Sequence, residues 1–160
     1  MKITNEFVFF WKTEEVFSQW HPSKFTVADV NYETAEQFMM HQKALVFGDQ
    51  EAAAKVLLTV DPREQKKIGR SVKNFDPKQW SDVAWQVVYN GNRAKFEQNP
   101  SMLKQLMETG DRELVEASPY DKIWGIGMGQ DDPRALDKTK WDGTNLLGDV
   151  LTQLRDDLKQ

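Results

Sequence analysis

The first candidate for chemistry is a carboxylate on a helix face that otherwise looks buried. After Thr34 the sequence becomes helical, and side chains three and four residues apart share one face. Glu36 and Lys43 lie on that face with Met40 and Phe47. Because a buried charge needs a partner, this pattern predicts a paired carboxylate and amine inside the protein. A solvated helix edge, with the two charges two turns apart, explains the pattern equally well.

The place of Glu36 along its helix favours particular roles. It falls in the first turn, where free N–H groups and the helix dipole stabilise a negative charge. An ionised carboxylate there suits accepting a proton or stabilising a nearby positive charge. A general-acid role would require burial to raise the pKa of the carboxyl group.

The second candidate carboxylate is Asp121, in a segment rich in glycine and aspartate. Trp124, Gly125 and Gly127 follow it within six residues. A tryptophan can form a wall against a flat ligand, and glycine lets a backbone approach a ligand closely. These features favour a ligand-binding loop, and a tight turn in which Trp124 fills the core is the alternative.

Two further residues suit the recognition of a base or a phosphate. Trp80 lies early in a helix and can stack on a base, but it is also in phase with apolar residues that indicate core packing. Arg70 follows a glycine near a helix end. It could bind a phosphate or act as an ordinary charge at the C-terminus of the helix.

The chain has few of the residues that other hydrolytic mechanisms require. There are two histidines, His21 and His41, no cysteine and no Walker phosphate loop. A histidine-based metal site, a thiol nucleophile and a Ser-His-Asp triad are therefore not predicted. The hydrolytic chemistry that remains uses carboxylates, and we expect neither a metal nor another cofactor.

The candidate residues above must be positioned mostly by helices. Capping patterns predict four helix starts, at Thr34–Gln37, Asp61–Glu64, Asp76–Gln79 and Asn99–Pro100. Gly110 suits the end of the helix that begins after Asn99. Glu51–Val60 predicts a short helix, and the apolar spacing from Leu147 to Leu158 predicts a last amphipathic helix.

Strands are expected to be few and short. Phe7–Phe10 and Phe25–Val30 have strand-like composition, which predicts a small hairpin or sheet edge. Glu113–Ala117 is a further short strand, and Pro119–Pro133 is a loop. The fold class is therefore α+β: one predominantly α-helical domain over residues 1–160, with a small N-terminal β element.

Composition narrows the class of protein and its partners. The 160 residues are 39% hydrophobic and carry a net charge of −4, which disfavours a duplex nucleic-acid binder. No segment is long and apolar enough to suggest a membrane span or a signal peptide. We expect a cytoplasmic protein, or a nuclear one in a host with a nucleus, without a stable protein partner.

Several short motifs follow one another along the chain: Phe17–Trp20, Tyr32–Lys43, Gly69–Arg70, Trp80, Lys95–Gln98, Thr109–Gly110, Leu114–Glu116, Asp121, Trp124–Gly125, Gly127, Gly143–Gly148 and Arg155. In this order and spacing they resemble the NADAR (YbiA-like) family over almost the whole length. The resemblance implies a helix-dominated α+β domain with N-glycosidase activity. Substrates in such families include early intermediates of riboflavin synthesis and ADP-ribose attached to a guanine base.

The resemblance also implies which residues act. The family's functional glutamate, tryptophan and aspartate correspond here to Glu36, Trp80 and Asp121. The usual Phe-Ser-Asn-Phe of the family is Phe-Ser-Gln-Trp here, and Gln37 replaces a frequent histidine. These departures concern substrate preference more than the type of reaction.

One hypothesis for the site combines these inferences. Cleavage of an N-riboside passes through an oxocarbenium-like sugar, which carboxylates can stabilise. We assign water activation to Asp121 and sugar contact or proton transfer to Glu36, while Trp80 or Trp124 stacks the base. The remaining predicted substrate contacts are Lys43, Arg70, Asn145, Gln19 and Gly125.

Two other functions stay open from the sequence. One is a module that binds ADP-ribose or a nucleotide without turnover. The other is a small helical interaction domain, in which the tryptophans and paired charges are structural. The expected ligand is a nucleotide-like small molecule, or an ADP-ribosylated base within a nucleic acid.

Overall fold

The computed structural model describes residues 1–159, which form two compact units. One unit contains Met1–Ser18 and the chain from Ser101 onward, and the other contains Gln19–Pro100. The strands are β1 (Lys2–Ile3), β2 (Phe7–Phe10), β3 (Phe25–Val27), β4 (Val30–Tyr32) and β5 (Glu113–Glu116). The α-helices are α1 (Ala35–Val46), α2 (Gln50–Val56), α3 (Pro62–Arg70), α4 (Pro77–Glu97), α5 (Pro100–Glu108) and α6 (Leu146–Leu158). The predicted α+β, predominantly helical fold class is confirmed, whereas a single domain over residues 1–160 stays a prediction.

Side-chain caps begin the helices of the second unit where the sequence predicts them. Thr34, Asp61 and Asp76 each accept a backbone N–H group of the first turn of α1, α3 and α4. Gln37 differs from the predicted capping box, because its side-chain oxygen accepts the N–H of Glu33, one residue before the cap.

Helix α2 is shorter than predicted. It ends at Val56 rather than Val60. The amide nitrogen of the Gln37 side chain donates to the carbonyl oxygens of both Val56 and Thr59, at 3.0 Å each. These bonds tie the segment after α2 to α1, which packs against α2, α3 and α4 and has more buried residues than any of those three.

The predicted strand over Phe25–Val30 is instead a hairpin of its own. Strands β3 and β4 pair antiparallel, with Phe25 opposite Tyr32. Ala28 and Asp29 connect them with φ values of 49° and 65°. A two-residue turn with positive φ at both positions matches the twist of a hairpin, so these residues end one strand and start the next.

A three-stranded sheet in the order β1-β2-β5 lies in the other unit. Strand β2 pairs antiparallel with β1 and parallel with β5, so the predicted pairing of Phe7–Phe10 with Phe25–Val30 is wrong. All four residues of β2 are buried. A continuous apolar run requires cover on both faces, which a central strand receives and a hairpin edge does not. The short strand predicted at Glu113–Ala117 is confirmed as β5.

The end of α5 and the position of α6, both in this unit, agree with the sequence predictions. Gly110 follows α5 with a φ of 69°, as a residue after a helix end often does. Helix α6 packs against β5 and buries Leu147, Leu151 and Leu154 completely. No helix within residues 1–159 is long and apolar enough to cross a membrane.

Candidate active site

The first turn of α1 fixes the position of the Glu36 main chain. Thr34 caps the helix, which places Glu36 in the first turn, and its N–H donates to the carbonyl oxygen of Gln19 at 3.0 Å. Only 7% of Glu36 is exposed. The buried face predicted for α1 is therefore present, and the carboxylate lies on it.

Lys43 interacts electrostatically with Glu36 and with a second cation, Arg70. Burial lowers the pKa of the half-buried Lys43 ammonium, the negative charge of Glu36 counteracts that shift, and the positive charge of Arg70 adds to it. Glu36 and Arg70 therefore each lie within electrostatic reach of Lys43. The structure brings together the three charged residues that the sequence predicts for this unit.

Close packing between α3 and α1 explains the position of Arg70. Gly69 lies against Met40, and a Cβ at Gly69 would overlap the side chain of that methionine. Because Gly69 has no side chain, the end of α3 can approach α1 closely. Arg70 is the next residue, and Lys43 lies one turn beyond Met40 on α1. Packing thus explains Gly69 and the position of Arg70, and Arg70 is also a predicted phosphate contact.

The side chain of Gln19 connects to α4. Its oxygen accepts a hydrogen bond from the Asn92 amide at 2.8 Å, while its main-chain oxygen accepts the Glu36 N–H. Asn92 is fully buried, and so is Lys95 one turn later. Burial lowers the pKa of the Lys95 ammonium to about 7. Asn92 was not predicted to belong to the site, because an asparagine in a long helix gives no sequence signal of its own.

Trp80 is embedded in an apolar cluster. It packs against the group formed by Ala44, Phe47, Ala52, Ala53 and Val72. Core packing, one of the two roles that the sequence allows for Trp80, is therefore present. The residue is also half-exposed, so its contact with a substrate stays a prediction.

Two aromatic residues of this unit lie under cations and were not predicted as site residues. Lys43 Nζ lies 4.4 Å from the ring centre of Phe75, and Lys66 Nζ lies 6.0 Å from that of Trp20. Both distances are within the range of cation–π attraction. Phe75 sits in a loop between two helices, where no periodic pattern identifies a residue's neighbours.

In the other unit, Asp121 uses one carboxylate oxygen to hold its own loop. Oδ1 accepts the N–H groups of Ile123 at 2.9 Å and Trp124 at 2.8 Å. The N–H of Asp121 donates to the Ser118 hydroxyl at 3.1 Å. Among residues 1–159, Oδ2 has no hydrogen bond, so one oxygen of this half-buried carboxylate is available to a ligand or a water.

The other predicted residues of this unit brace the same loop. Gly125 and Trp124 accept backbone N–H groups of Asn145 and Leu147 through their carbonyl oxygens. A Cβ at Gly125 would lie 2.9 Å from two backbone oxygens, so packing explains this glycine.

Asn145 is almost completely buried and bonds to β5 with both ends of its side chain. It donates to the Leu114 carbonyl at 3.1 Å and accepts the Glu116 N–H at 2.9 Å. This accounts for its place before α6, and contact with a phosphate or hydroxyl stays a prediction. Within the part of the chain that the structure describes, no group of three His, Asp or Glu side chains is arranged to hold a metal ion.

Comparison with known proteins places this arrangement in a family. Residues 9–159 match the family model described as the NADAR domain. N-glycosidase R617 of Acanthamoeba polyphaga mimivirus is 40% identical over 168 residues, a match that covers 98% of this chain and 99% of that protein. Riboflavin biosynthesis protein VVA0006 of Vibrio vulnificus is 28% identical, and the match covers 96% of this chain and 39% of that protein.

A solved structure shares the fold. The NMR structure of the E. coli protein YbiA superposes with a TM-score of 0.80 at 26% sequence identity, covering 99% of this chain and 88% of that one. The family match extends over nearly all of the residues described above, including both candidate carboxylates. The chain belongs to the NADAR family.

Proposed function

We propose that this protein is an N-glycosidase that hydrolyses the bond between ribose and a nitrogen base in a phosphorylated compound. The single observation that carries the proposal is the buried Glu36 carboxylate within electrostatic reach of Lys43, which in turn lies within reach of Arg70. A buried carboxylate beside cations suits a substrate that bears a phosphate and develops positive charge on its sugar. The name N-glycosidase of a relative that matches along the whole chain supports the same reaction.

In the proposed reaction the C1′–N bond breaks and its electron pair leaves with the base. Positive charge then develops on C1′ and the ring oxygen of the ribose. Glu36, in the first turn of α1, either stabilises that charge as a carboxylate or, as a carboxylic acid, gives its proton to the leaving base. Asp121 accepts a proton from the attacking water, whose oxygen forms the new bond to C1′. The base takes up one proton as it leaves, from Glu36 or from solvent, and Asp121 later releases the proton of the water, so one water is consumed for each base released.

The other predicted residues bind the substrate in this scheme. Lys43 and Arg70 contact the phosphate, and Trp80 or Trp124 stacks the base. We also propose a substrate contact for Gln19, whose main-chain oxygen accepts the N–H of Glu36. Gly125 and Asn145 shape the loop that carries Asp121, and we propose a ligand contact for each.

Two substrate classes follow from the resemblance to the family. They are early, reactive intermediates of riboflavin synthesis and ADP-ribose attached to a guanine base, either free or within a nucleic acid. The match to a protein named for riboflavin biosynthesis supports the first class, although it covers only 39% of that protein. A module that binds ADP-ribose without turnover is the competing hypothesis.

A substrate panel with two isosteric variants tests the proposal. Riboflavin intermediates, NAD, ADP-ribose and ADP-ribosyl-guanine are incubated with the protein, and the free base is measured by chromatography. Glu36→Gln and Asp121→Asn should each lower kcat by about a hundredfold or more, with circular dichroism unchanged.

Matched controls remove a carboxylate of the same kind elsewhere. Glu64→Gln changes an exposed glutamate in the first turn of α3, and Asp137→Asn changes an aspartate that accepts a backbone N–H two residues on. Both should retain full activity. Full activity in Glu36→Gln and Asp121→Asn would disprove the site, and ADP-ribose binding without any base release would favour the binding module.

A further inference from the structure

Phe75 lies beside a predicted phosphate contact, although no sequence feature assigns it a role. It is 43% exposed, in the loop that joins α3 to α4. Lys43 Nζ lies over its ring, 4.4 Å from the centre. The ring of the buried Phe47 meets it at 66°, with the two centres 5.4 Å apart. The phenyl ring is thus fixed by a cation and by a core residue, while much of the residue stays accessible.

Its surroundings distinguish Phe75 from an ordinary exposed phenylalanine. Single exposed apolar residues are common and need no explanation. Here, however, the ring contacts a lysine that interacts electrostatically with Glu36 and Arg70. An aromatic face, two cations and a carboxylate are the groups that recognise the base, the phosphate and the sugar of a nucleotide.

We propose that Phe75 and Lys43 form one recognition subsite for a 5′-phosphorylated N-riboside, in which the phenyl ring stacks on the base and the ammonium binds the phosphate. The inference rests on the proposed function and adds to it a substrate-binding residue and a ligand class. The protein would accept a nucleotide and discriminate against the corresponding nucleoside.

The contact between Phe75 and Lys43 allows the two side chains to bind one ligand together. A ring face attracts a cation without accepting a full hydrogen bond, so the ammonium keeps its donors for phosphate oxygens. The packing of Phe47 against Phe75 restrains the ring before the ligand arrives. A preorganised ring and cation lose less freedom on binding than two mobile side chains would.

Three matched ligands separate the two halves of the subsite. AMP, adenosine and ribose 5-phosphate differ only in the phosphate or the base, and their affinities for the full chain are measured by calorimetry. The wild-type protein should bind AMP more tightly than either of the others. Phe75→Leu should weaken AMP about five- to a hundredfold, the range of one base–aromatic stack, and change ribose 5-phosphate by less than about threefold.

Two further variants and one control variant complete the test. Phe75→Tyr keeps an aromatic face and should retain AMP affinity, while leucine keeps the apolar cover over Phe47. Lys43→Gln should weaken AMP and ribose 5-phosphate alike and leave adenosine unchanged. Lys73→Gln is the control, because it removes an exposed lysine from the same loop that faces Glu51 at 4.0 Å.

Failure of this inference is distinguishable from failure of the proposed function. Equal weakening of AMP and ribose 5-phosphate in Phe75→Leu would overturn the stacking role, and so would a wild-type protein that binds both equally. Base release in the substrate panel is scored separately. Base release combined with unchanged AMP affinity in Phe75→Leu overturns this inference alone, whereas AMP binding that depends on Phe75 without any base release overturns only the proposed hydrolysis.

Discussion

The two candidate carboxylates are held in opposite ways. Glu36 sits in a helix whose first turn is capped by Thr34, and its own N–H bonds to a main-chain oxygen. Asp121 sits in a loop that its own side chain holds together through Oδ1. At Glu36 the Thr34 cap and the Gln19 carbonyl oxygen satisfy N–H groups of the first turn. In the loop the side chain supplies part of those backbone hydrogen bonds.

This difference predicts where sequence changes are tolerated. Around Glu36, the position of each side chain depends on the packing of helices, which can adjust over several residues. Around Asp121, the loop and the segment 142–147 are joined by a series of backbone hydrogen bonds. Such a structure depends on a few residues with little freedom to change. The loop should therefore be the less tolerant region.

The largest effect is expected at Gly143, where the loop and this segment meet. A Cβ there would overlap the carbonyl oxygen of Gly125 and lie 2.8 Å from Lys122 Cα and 2.9 Å from the carbonyl carbon of Ile126. These are backbone atoms that cannot rotate away. Gly143→Ala should cost about 3 kcal/mol or more of unfolding free energy, measured by urea denaturation.

Gly129→Ala is the control for that prediction. It lies near the same loop, but an added Cβ would meet only Pro119 Cγ, at an ordinary 3.9 Å. Its unfolding free energy should stay within about 0.5 kcal/mol of the wild-type value. Similar losses in the two variants would mean that the loop is no more constrained at Gly143 than elsewhere.

Trp80 gives the next largest effect and tests the helical side of the comparison. Trp80→Ala removes a half-exposed indole from the cluster around Phe47, which should cost about 2–3 kcal/mol of unfolding free energy. Trp80→Phe should recover most of that stability. If the indole also stacks the base, Trp80→Phe raises KM while the melting temperature stays near the wild-type value. Normal KM and kcat per folded molecule in both variants would assign Trp80 to the core alone.

The helical region was also the easier one to predict. The caps at Thr34, Asp61 and Asp76 and the shared face of Glu36 and Lys43 depend on neighbours within four residues. Those predictions concern local geometry, and the structure has each of these features. Arg70 required more, because its place near Lys43 arises from the contact of Gly69 with a different helix.

Long-range pairing and loop contacts were not predictable in the same way. One of the two partners of β2 is β5, more than a hundred residues later, and composition alone could not select it over the nearer Phe25–Val30. Phe75 approaches Lys43 only because α3 and α4 turn back on α1. The prediction for Asp121 rests mostly on the family resemblance, since an aspartate in a glycine-rich loop is also a common turn residue.

At Asp121 itself, two substitutions separate loop geometry from charge. Asn at this position keeps an oxygen that can accept the N–H groups of Ile123 and Trp124, whereas Ala keeps neither bond. Asp121→Ala should lose about 1–2 kcal/mol of unfolding free energy, as the loss of a comparable helix cap does, and Asp121→Asn much less. Both should lose base release. Equal destabilisation would show that the negative charge, rather than the acceptor geometry, stabilises this loop.

The smallest effect concerns His41, on the same helix as Glu36. Its Nδ1 lies 2.8 Å from the Tyr32 hydroxyl, both residues are buried, and burial lowers the pKa of the imidazole. Below pH about 6.5 the unfolded chain therefore gains a proton that the folded protein resists, so stability falls as the pH falls.

Between pH 7 and pH 5 this single group should therefore lower the melting temperature. His41→Gln removes the titrating group, and its melting temperature should depend less on pH over the same interval. Parallel profiles for wild type and variant would show that the helical region tolerates a charge at this buried position. The contrast with the loop would then lie in backbone bonding alone, since burial on α1 would impose no cost on a charged side chain.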